Sequence, residues 1–113
     1  MTINDKGFTV QKDSHDHNMT DKSAVLDRNT NPIKTGEWHP LVIEIQGKEM
    51  LARRDSDATA YGSHEAIDVK KANFGLTVAG ESVSFKNLRV WEASPGKDWD
   101  ANKAKLLASR AAK

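Results

Sequence analysis

The sequence has no cysteine, which excludes disulfides, thiolate metal sites and thiol nucleophiles and leaves the compartment open. No apolar run approaches the roughly 20 residues of a membrane helix. The polar start Met1 to Lys6 lacks the hydrophobic region of a signal peptide. Neither sign of charge dominates, because the chain has 17 basic and 16 acidic residues. It also has no cluster of basic residues that could follow a phosphate backbone. We therefore expect no membrane span and no nucleic-acid partner.

The chain of 113 residues has no internal repeat and is most simply a single compact unit with a modest core. Pro95-Gly96 predicts the end of the β-rich part, which we place at residues 1–93. From Asp98 onward the composition shifts to alanine, lysine and leucine, and Asp98 has the character of a helix N-cap. Residues 94–113 are therefore predicted to form a helical tail, with Trp99, Lys103 and Leu106 on one stripe.

The stretch from Trp38 to Arg54 is the strongest structural signal, a β-hairpin that turns at Gly47-Lys48. The predicted register places Ile45 opposite Met50 and Ile43 opposite Ala52. One face of this ribbon is then nearly all apolar and is expected to be buried. The other face, with Glu44, Leu51 and Arg53 among its members, is mixed and could contact water or a ligand.

Further strands are predicted at Gly7 to Lys12 and Ala24 to Arg28, with brief pairing at Thr59 to Tyr61. A second ribbon is predicted from Asn73 to Ala79 and Ser82 to Glu92, with a turn at Gly80-Glu81 and a β-bulge near Lys86-Asn87. Many short strands separated by turns favour an antiparallel β-sandwich with a C-terminal α-helix. In this interpretation the two ribbons press their apolar sides together. Trp38, Phe74, Phe85 and Trp91 are expected to pack in the core.

Three segments resemble a known domain: Gly36-Glu37-Trp38-His39, then Val42 to Arg53 with its turn at Gly47, then Asn73 to Glu92. The last contains a Gly75-Leu76 strand and the closing Phe85-x-Asn87-Leu88-x-Val90 pattern. Together they span about half the chain. They resemble the C-terminal part of the 3-keto-disaccharide hydrolase-like domain, in the concanavalin A-like lectin and glucanase superfamily of jelly rolls.

The resemblance implies a two-sheet jelly roll that accepts a glycan on its concave side, mostly in exported bacterial proteins. A complete jelly roll of this type is longer, so the chain is expected to be either a fragment or a short, incomplete version. A sandwich without its early strands exposes unpaired edges and part of its core. We therefore expect a second copy to cover that surface in a homodimer.

Candidate ligand-binding residues lie on the mixed face of the hairpin and in the segment that follows it. Glu44 and Arg53 are diagonal neighbours that could orient sugar hydroxyls, or form an exposed cross-strand ion pair. Tyr61 and His64, after the hairpin, could form a further rim of a ligand-binding cleft. The Glu-x-Asp-x-x-Glu arrangement of retaining glucanases is absent, and the chain shows no complete catalytic constellation.

His15, Asp16 and His17, with Asp13 and Asp21 nearby, have the residue types of a divalent-metal site. No third ligand follows or precedes the two histidines at a spacing typical of a metal site. A solvated loop is therefore the simpler interpretation, and no cofactor is required. The chain is thus expected to be a carbohydrate-associated module. The alternatives are a hydrolase of 3-keto-glycosides, with Glu44 or His64 as acid-base group, and a non-catalytic assembly domain that dimerises through sheet edges.

Overall fold

The computed structural model describes residues 1–14 and 20–111. It contains two antiparallel three-stranded sheets, ordered β1-β2-β3 and β4-β5-β6, and one C-terminal helix. The sheet β1-β2-β3 is the first sheet, and the sheet β4-β5-β6 is the second sheet. The elements are β1 (Thr2–Asn4), β2 (Gly7–Lys12), β3 (Ala24–Asn29), β4 (Leu41–Gln46), β5 (Glu49–Arg54), β6 (Ala58–Ser63), a 3-10 turn (Glu65–Ile67) and α1 (Trp99–Ala111).

The central hairpin forms in the predicted register. Ile45 pairs with Met50 and Ile43 with Ala52, and Gly47 has a φ of 55°, which is the conformation that favours glycine at this turn position. The predicted β2 and β3 are confirmed, β3 extending one residue to Asn29. The mostly β architecture with a C-terminal helix is therefore confirmed at the level of two packed sheets.

Two elements differ in extent from the prediction. The short pairing expected at Thr59 to Tyr61 is a full strand, β6, because every residue from Ala58 to Ser63 has a partner on β5. The three residues of β1 were not predicted, since so short and exposed a strand has no apolar alternation to reveal it. Helix α1 starts at Trp99, and the Asp98 carbonyl accepts the Asn102 amide at 2.9 Å.

The core lies between β2 of the first sheet and the inner face of β5 and β6. Phe8 and Val10 from β2 pack against three alanines that have almost no accessible surface. Small side chains on one sheet let the larger ones of the other approach closely. The alanines are Ala52, Ala58 and Ala60.

Side chains of β3 close the outer edge of β6. The Asn29 amide donates to the Thr59 carbonyl at 2.9 Å, and Asp27 Oδ2 accepts the Tyr61 backbone amide at 2.8 Å. These groups of β6 face away from β5 and would otherwise be unpaired at the edge. The two sheets are thus joined by specific hydrogen bonds as well as by the apolar core.

Polar contacts also fasten the loop before β4 to the end of β5. The buried Arg54 guanidinium donates to the carbonyls of residues 31–32 at 3.0 and 3.1 Å. His39 has an acceptor at each ring nitrogen, the Lys34 carbonyl at 2.6 Å and the Asp55 carboxylate at 3.0 Å. The Lys34 carbonyl first, and then Asp55, raises the pKa of His39 above its usual value, because both stabilise the doubly protonated ring.

The expectation that the apolar face of the hairpin is buried holds for β5 but is wrong for β4. Leu41, Ile43 and Ile45 are 40 to 43% exposed, whereas Ala52 on the same face is fully buried. The physical reason is the position of the first sheet, which packs mainly on β6 and β5 and leaves β4 largely uncovered. Leu51, on the mixed face, is buried because α1 lies over that side of the sheet.

The expected second ribbon does not form. Residues 73–92 contain no strand, although the chain bends at Gly80-Glu81 and Asn87 has a φ of 54° where the bulge was predicted. Alternating apolar residues make a strand only where a neighbouring strand pairs with their backbone, and here residues 73–79 and 82–92 pair neither with each other nor with the edge of β4. The expected core positions of four aromatic residues are therefore wrong: they are 51 to 74% exposed, namely Trp38, Phe74, Phe85 and Trp91.

The contact between Gly62 on β6 and Leu26 on β3 gives a test of the packing between the two sheets. A Cβ at Gly62 would lie 2.4 Å from Leu26 Cβ. We expect Gly62→Ala to destabilise the fold by about 1–3 kcal/mol, because the strands must separate to admit the methyl group. Urea unfolding at equilibrium measures this change.

Gly75→Ala is the matched control, because no atom lies within 4 Å of its added Cβ and its φ is not positive. We expect that variant to be neutral or stabilised by less than about 1 kcal/mol through the lower entropy of its unfolded chain. Equal losses in the two variants would contradict the packing of β3 on β6.

Candidate functional site

A cluster of polar and aromatic side chains lies between α1 and the outer face of the second sheet. Its centre is the Glu49 carboxylate at the start of β5, which accepts from the Tyr61 hydroxyl, from Lys103 Nζ at 2.5 Å and from the Trp99 indole at 3.4 Å. Lys103 Nζ also lies 5.3 Å from the Tyr61 ring centre. These contacts dock the helix on the sheet.

Local structure explains why these four residues meet. Tyr61 pairs with Leu51, so it is one diagonal step from Glu49 on the same face of the sheet. Trp99 and Lys103 are four residues apart on α1 and therefore share one side of the helix. An acidic group at the sheet and a basic group on the helix then pair across the interface.

The charges of the cluster change one another's protonation. The Lys103 ammonium first, and then the Tyr61 hydroxyl, holds the pKa of Glu49 below its usual value. Glu49 in turn raises the pKa of Lys103. Burial, and then the neighbouring carboxylate, raises the pKa of Tyr61. The cluster is therefore a charged pair with a neutral phenol at neutral pH.

Glu44 and Arg53 form a second ion pair beside this cluster. Arg53 Nη2 donates to Glu44 Oε1 at 2.9 Å, and both side chains are 38% exposed. In the register of the hairpin Glu44 pairs with Leu51 and Arg53 with Val42, so the pair is diagonal as predicted. The ion-pair alternative of the sequence analysis is thus present, and its half-exposure leaves both groups accessible to a ligand.

A cleft of about 370 Å³ separates the two ion pairs. Buried Leu51 provides part of its floor, strands β4 and β5 form one wall, and α1 forms the other. The cleft therefore combines an indole, an amide, charged groups and an apolar floor. Its lining residues are Glu44, Leu51, Arg53, Trp99, Asn102, Lys103, Lys105 and Leu106.

The structure brings together some of the predicted site residues and not others. Glu44 and Arg53 line the cleft, and Tyr61 lies beside it through its bond to Glu49. His64 does not join them, because its Nδ1 accepts the Ala66 backbone amide at 3.0 Å and caps the 3-10 turn. Sequence reasoning missed Glu49 on β5 and the lining residues on α1, although the sequence places Trp99, Lys103 and Leu106 on one stripe of the helix.

The predicted metal ligands His15, Asp16 and His17 lie outside the described residues. Within residues 1–14 and 20–111, no three histidine or acidic side chains are placed to hold a metal ion. A second concavity of about 540 Å³ lies over the turn between β1 and β2. Phe8, its one aromatic lining residue, is buried, so it offers no exposed ring to a ligand.

Comparisons with protein-family models, with curated proteins and with solved structures give no significant match. The resemblance seen in residues 36–92 therefore stays a prediction. In the described part of the chain, no helix has the length and apolar character to cross a membrane.

From the Glu49 cluster we predict that the docking of α1 depends on pH. Because the pKa of Glu49 is lower in the folded chain than its ordinary value of 4.5, its contribution to stability is complete above that value. The contribution is lost as the pH falls through the lowered pKa. We expect Lys103→Met to raise the pKa of Glu49 and to reduce this acid-dependent part of the stability.

Side-chain carboxyl ¹³C titration of Glu49, with urea unfolding between about pH 7 and pH 3, measures both effects. Lys105→Met is the control, since Lys105 is exposed on the same helix and outside the contacts of Glu49. An unchanged titration of Glu49 in Lys103→Met would show that α1 does not dock through this pair.

Proposed function

We propose that the protein is a carbohydrate-associated module and that a glycan binds in the cleft between α1 and the second sheet. The observation that carries the proposal is the cleft lining. It places the half-exposed Glu44–Arg53 pair opposite Trp99 and Asn102, above the apolar floor at Leu51. Such a mixture offers donors and acceptors to hydroxyl groups and apolar surface to the C–H face of a sugar ring.

The charge balance of the cleft favours a neutral ligand. Arg53 is paired with Glu44, and Lys103 with Glu49, so most of the formal charge is compensated within the protein. An ionised ligand would have to compete with these pairs, whereas a hydroxyl can add to them as donor to a carboxylate or acceptor from a guanidinium. A short neutral oligosaccharide matches this pattern better than a phosphate or an acidic peptide.

Trp99 is suited to stacking because its orientation is restrained. The indole nitrogen donates to Glu49, and the ring is half-buried at the start of α1. A ring held in place loses little conformational entropy when a ligand stacks on it. This restraint supports binding at the cleft without any rearrangement of the helix.

Binding is favoured over hydrolysis by the number of carboxylates at the cleft. Glycosidases use two, about 5 to 9.5 Å apart. Among the described lining residues Glu44 is the one carboxylate, and Glu49 beside the cleft is occupied by three donors. His64, the other acid-base candidate, already accepts a backbone hydrogen bond as a helix cap.

The test is titration of ¹⁵N-labelled protein with neutral disaccharides and trisaccharides of glucose, followed by NMR. We expect the Trp99 indole signal and the amides near Glu44 and Arg53 to shift together. Glu44→Gln and Arg53→Gln should each weaken binding about tenfold or more, because each removes a charge-assisted hydrogen bond.

Glu37→Gln is the matched control. It makes the same chemical change in another exposed ion pair, Lys34–Glu37 at 2.9 Å, which lies outside the cleft. We expect it to bind as the unmodified protein does. Shifts that avoid the cleft, an equal loss in the control, or no shift at millimolar sugar would contradict the proposal.

A further inference from the structure

The outer edge of β4 carries unpaired backbone groups. A two-residue turn makes Gln46 and Glu49 a hydrogen-bonded pair. The backbone groups of the even-numbered residues of β4 therefore bond to β5. The same alternation continues past the strand, where the Asp55 amide donates to the Pro40 carbonyl at 2.9 Å. The N–H and C=O groups of Leu41, Ile43 and Ile45 therefore point away from β5.

The two edges of the second sheet are treated differently. At the β6 edge, Asp27 and Asn29 provide hydrogen bonds to the outward backbone groups. At the β4 edge, the structure as described for residues 1–14 and 20–111 has no such bond. An edge of six residues with free donors and acceptors is a template for an added strand.

The side chains at this edge are apolar. Leu41, Ile43 and Ile45 share the face on which the first sheet packs, but they lie beyond it and remain 40 to 43% exposed. A strand that joined the edge would continue the sheet and cover part of this apolar stripe. Both the backbone and the side chains of β4 therefore favour the addition of a strand.

We infer that the added strand is β4 of a second copy of this chain, paired antiparallel across a twofold axis at Ile43. In an antiparallel pair, outward residues must oppose outward residues, which limits the axis to a few positions. An axis at Glu44 would set two glutamates directly opposite each other, which is destabilising. An axis at Ile43 avoids this, because Glu44 then faces Val42 of the partner subunit.

The Ile43 register is also the most apolar one. In this register Ile43 lies opposite Ile43 of the partner subunit, and Leu41 lies opposite Ile45 of the partner subunit. All three residues of β4 whose backbone groups point away from β5 are then paired. The result is a continuous sheet of six strands, with the two first sheets on the same side of it. The exposed stripe becomes a shared apolar surface at the centre of the dimer.

Cysteine cross-linking tests the register directly, because the natural chain has no cysteine to interfere. We expect Ile43→Cys to form a disulfide-linked dimer under mild oxidation, since directly opposed residues have Cα atoms about 5.5 Å apart. Ile45→Cys is the control. In this register residue 45 lies opposite residue 41 of the second copy, so the two introduced cysteines are four residues out of line and cannot be joined. Leu41→Cys combined with Ile45→Cys should restore the cross-link.

Sedimentation of the unmodified protein should give a mass near twice 12.5 kDa at high micromolar concentration. Ile43→Lys opposes two lysines at the axis and should weaken dimerisation at least tenfold. Ile3→Lys is the matched control, since Ile3 is also 41% exposed and lies on an edge strand of the first sheet. That variant should sediment as the unmodified protein does.

A strictly monomeric protein, or equal cross-linking of Ile43→Cys and Ile45→Cys, would overturn the inference. A monomer in which residues 73–92 protect the β4 amides from hydrogen exchange would show instead that the chain closes its own edge. Cross-linking and sedimentation are measured without sugar. A negative result would therefore contradict the dimer and leave the glycan proposal untouched.

Discussion

The structure depends on the contact between β2 and the alanine-rich inner face of β5 and β6. Phe8 and Val10 bury their side chains only because Ala52, Ala58 and Ala60 leave room for them. This core is small for a chain of 113 residues, so apolar burial alone gives a narrow margin of stability. The buried polar groups therefore matter, and Asn29 and Arg54 meet carbonyl oxygens where the loops and edges would otherwise leave them unpaired.

That contact also decides where a ligand could bind. Since the first sheet occupies the inner face of β5 and β6, the outer face is left for α1. The ion pair between Glu49 on β5 and Lys103 on α1 holds the helix against that face. A single helix cannot cover three strands, and the uncovered part at Glu44 and Arg53 becomes the cleft. The cleft is thus a consequence of packing geometry, and its lining comes from the central hairpin and from the C-terminal helix.

Local patterns were sufficient to predict the hairpin, its register and the diagonal Glu44–Arg53 pair, because a two-residue turn fixes all three at once. They were insufficient for contacts between distant segments. Periodicity showed that Phe74 and Phe85 alternate with polar residues, but it could not show whether their backbone would pair with another strand. The joining of Glu49 to Trp99 and Lys103 spans fifty residues or more, and no local pattern encodes it.

One strand, β4, contributes to both the cleft and the free sheet edge, and the alternation of a β-strand keeps the two apart. The side chain of Glu44 points to the cleft, whereas those of Ile43 and Ile45 point to the opposite face. Pairing at the edge uses backbone groups of the odd-numbered residues and leaves the Glu44–Arg53 pair in place. It would also set Val42 of the partner subunit beside Glu44, on the face of the sheet that lines the cleft. In the proposed dimer, a second copy would therefore lengthen the apolar floor of the cleft, so the proposed assembly would support the proposed binding without a change of shape in either chain.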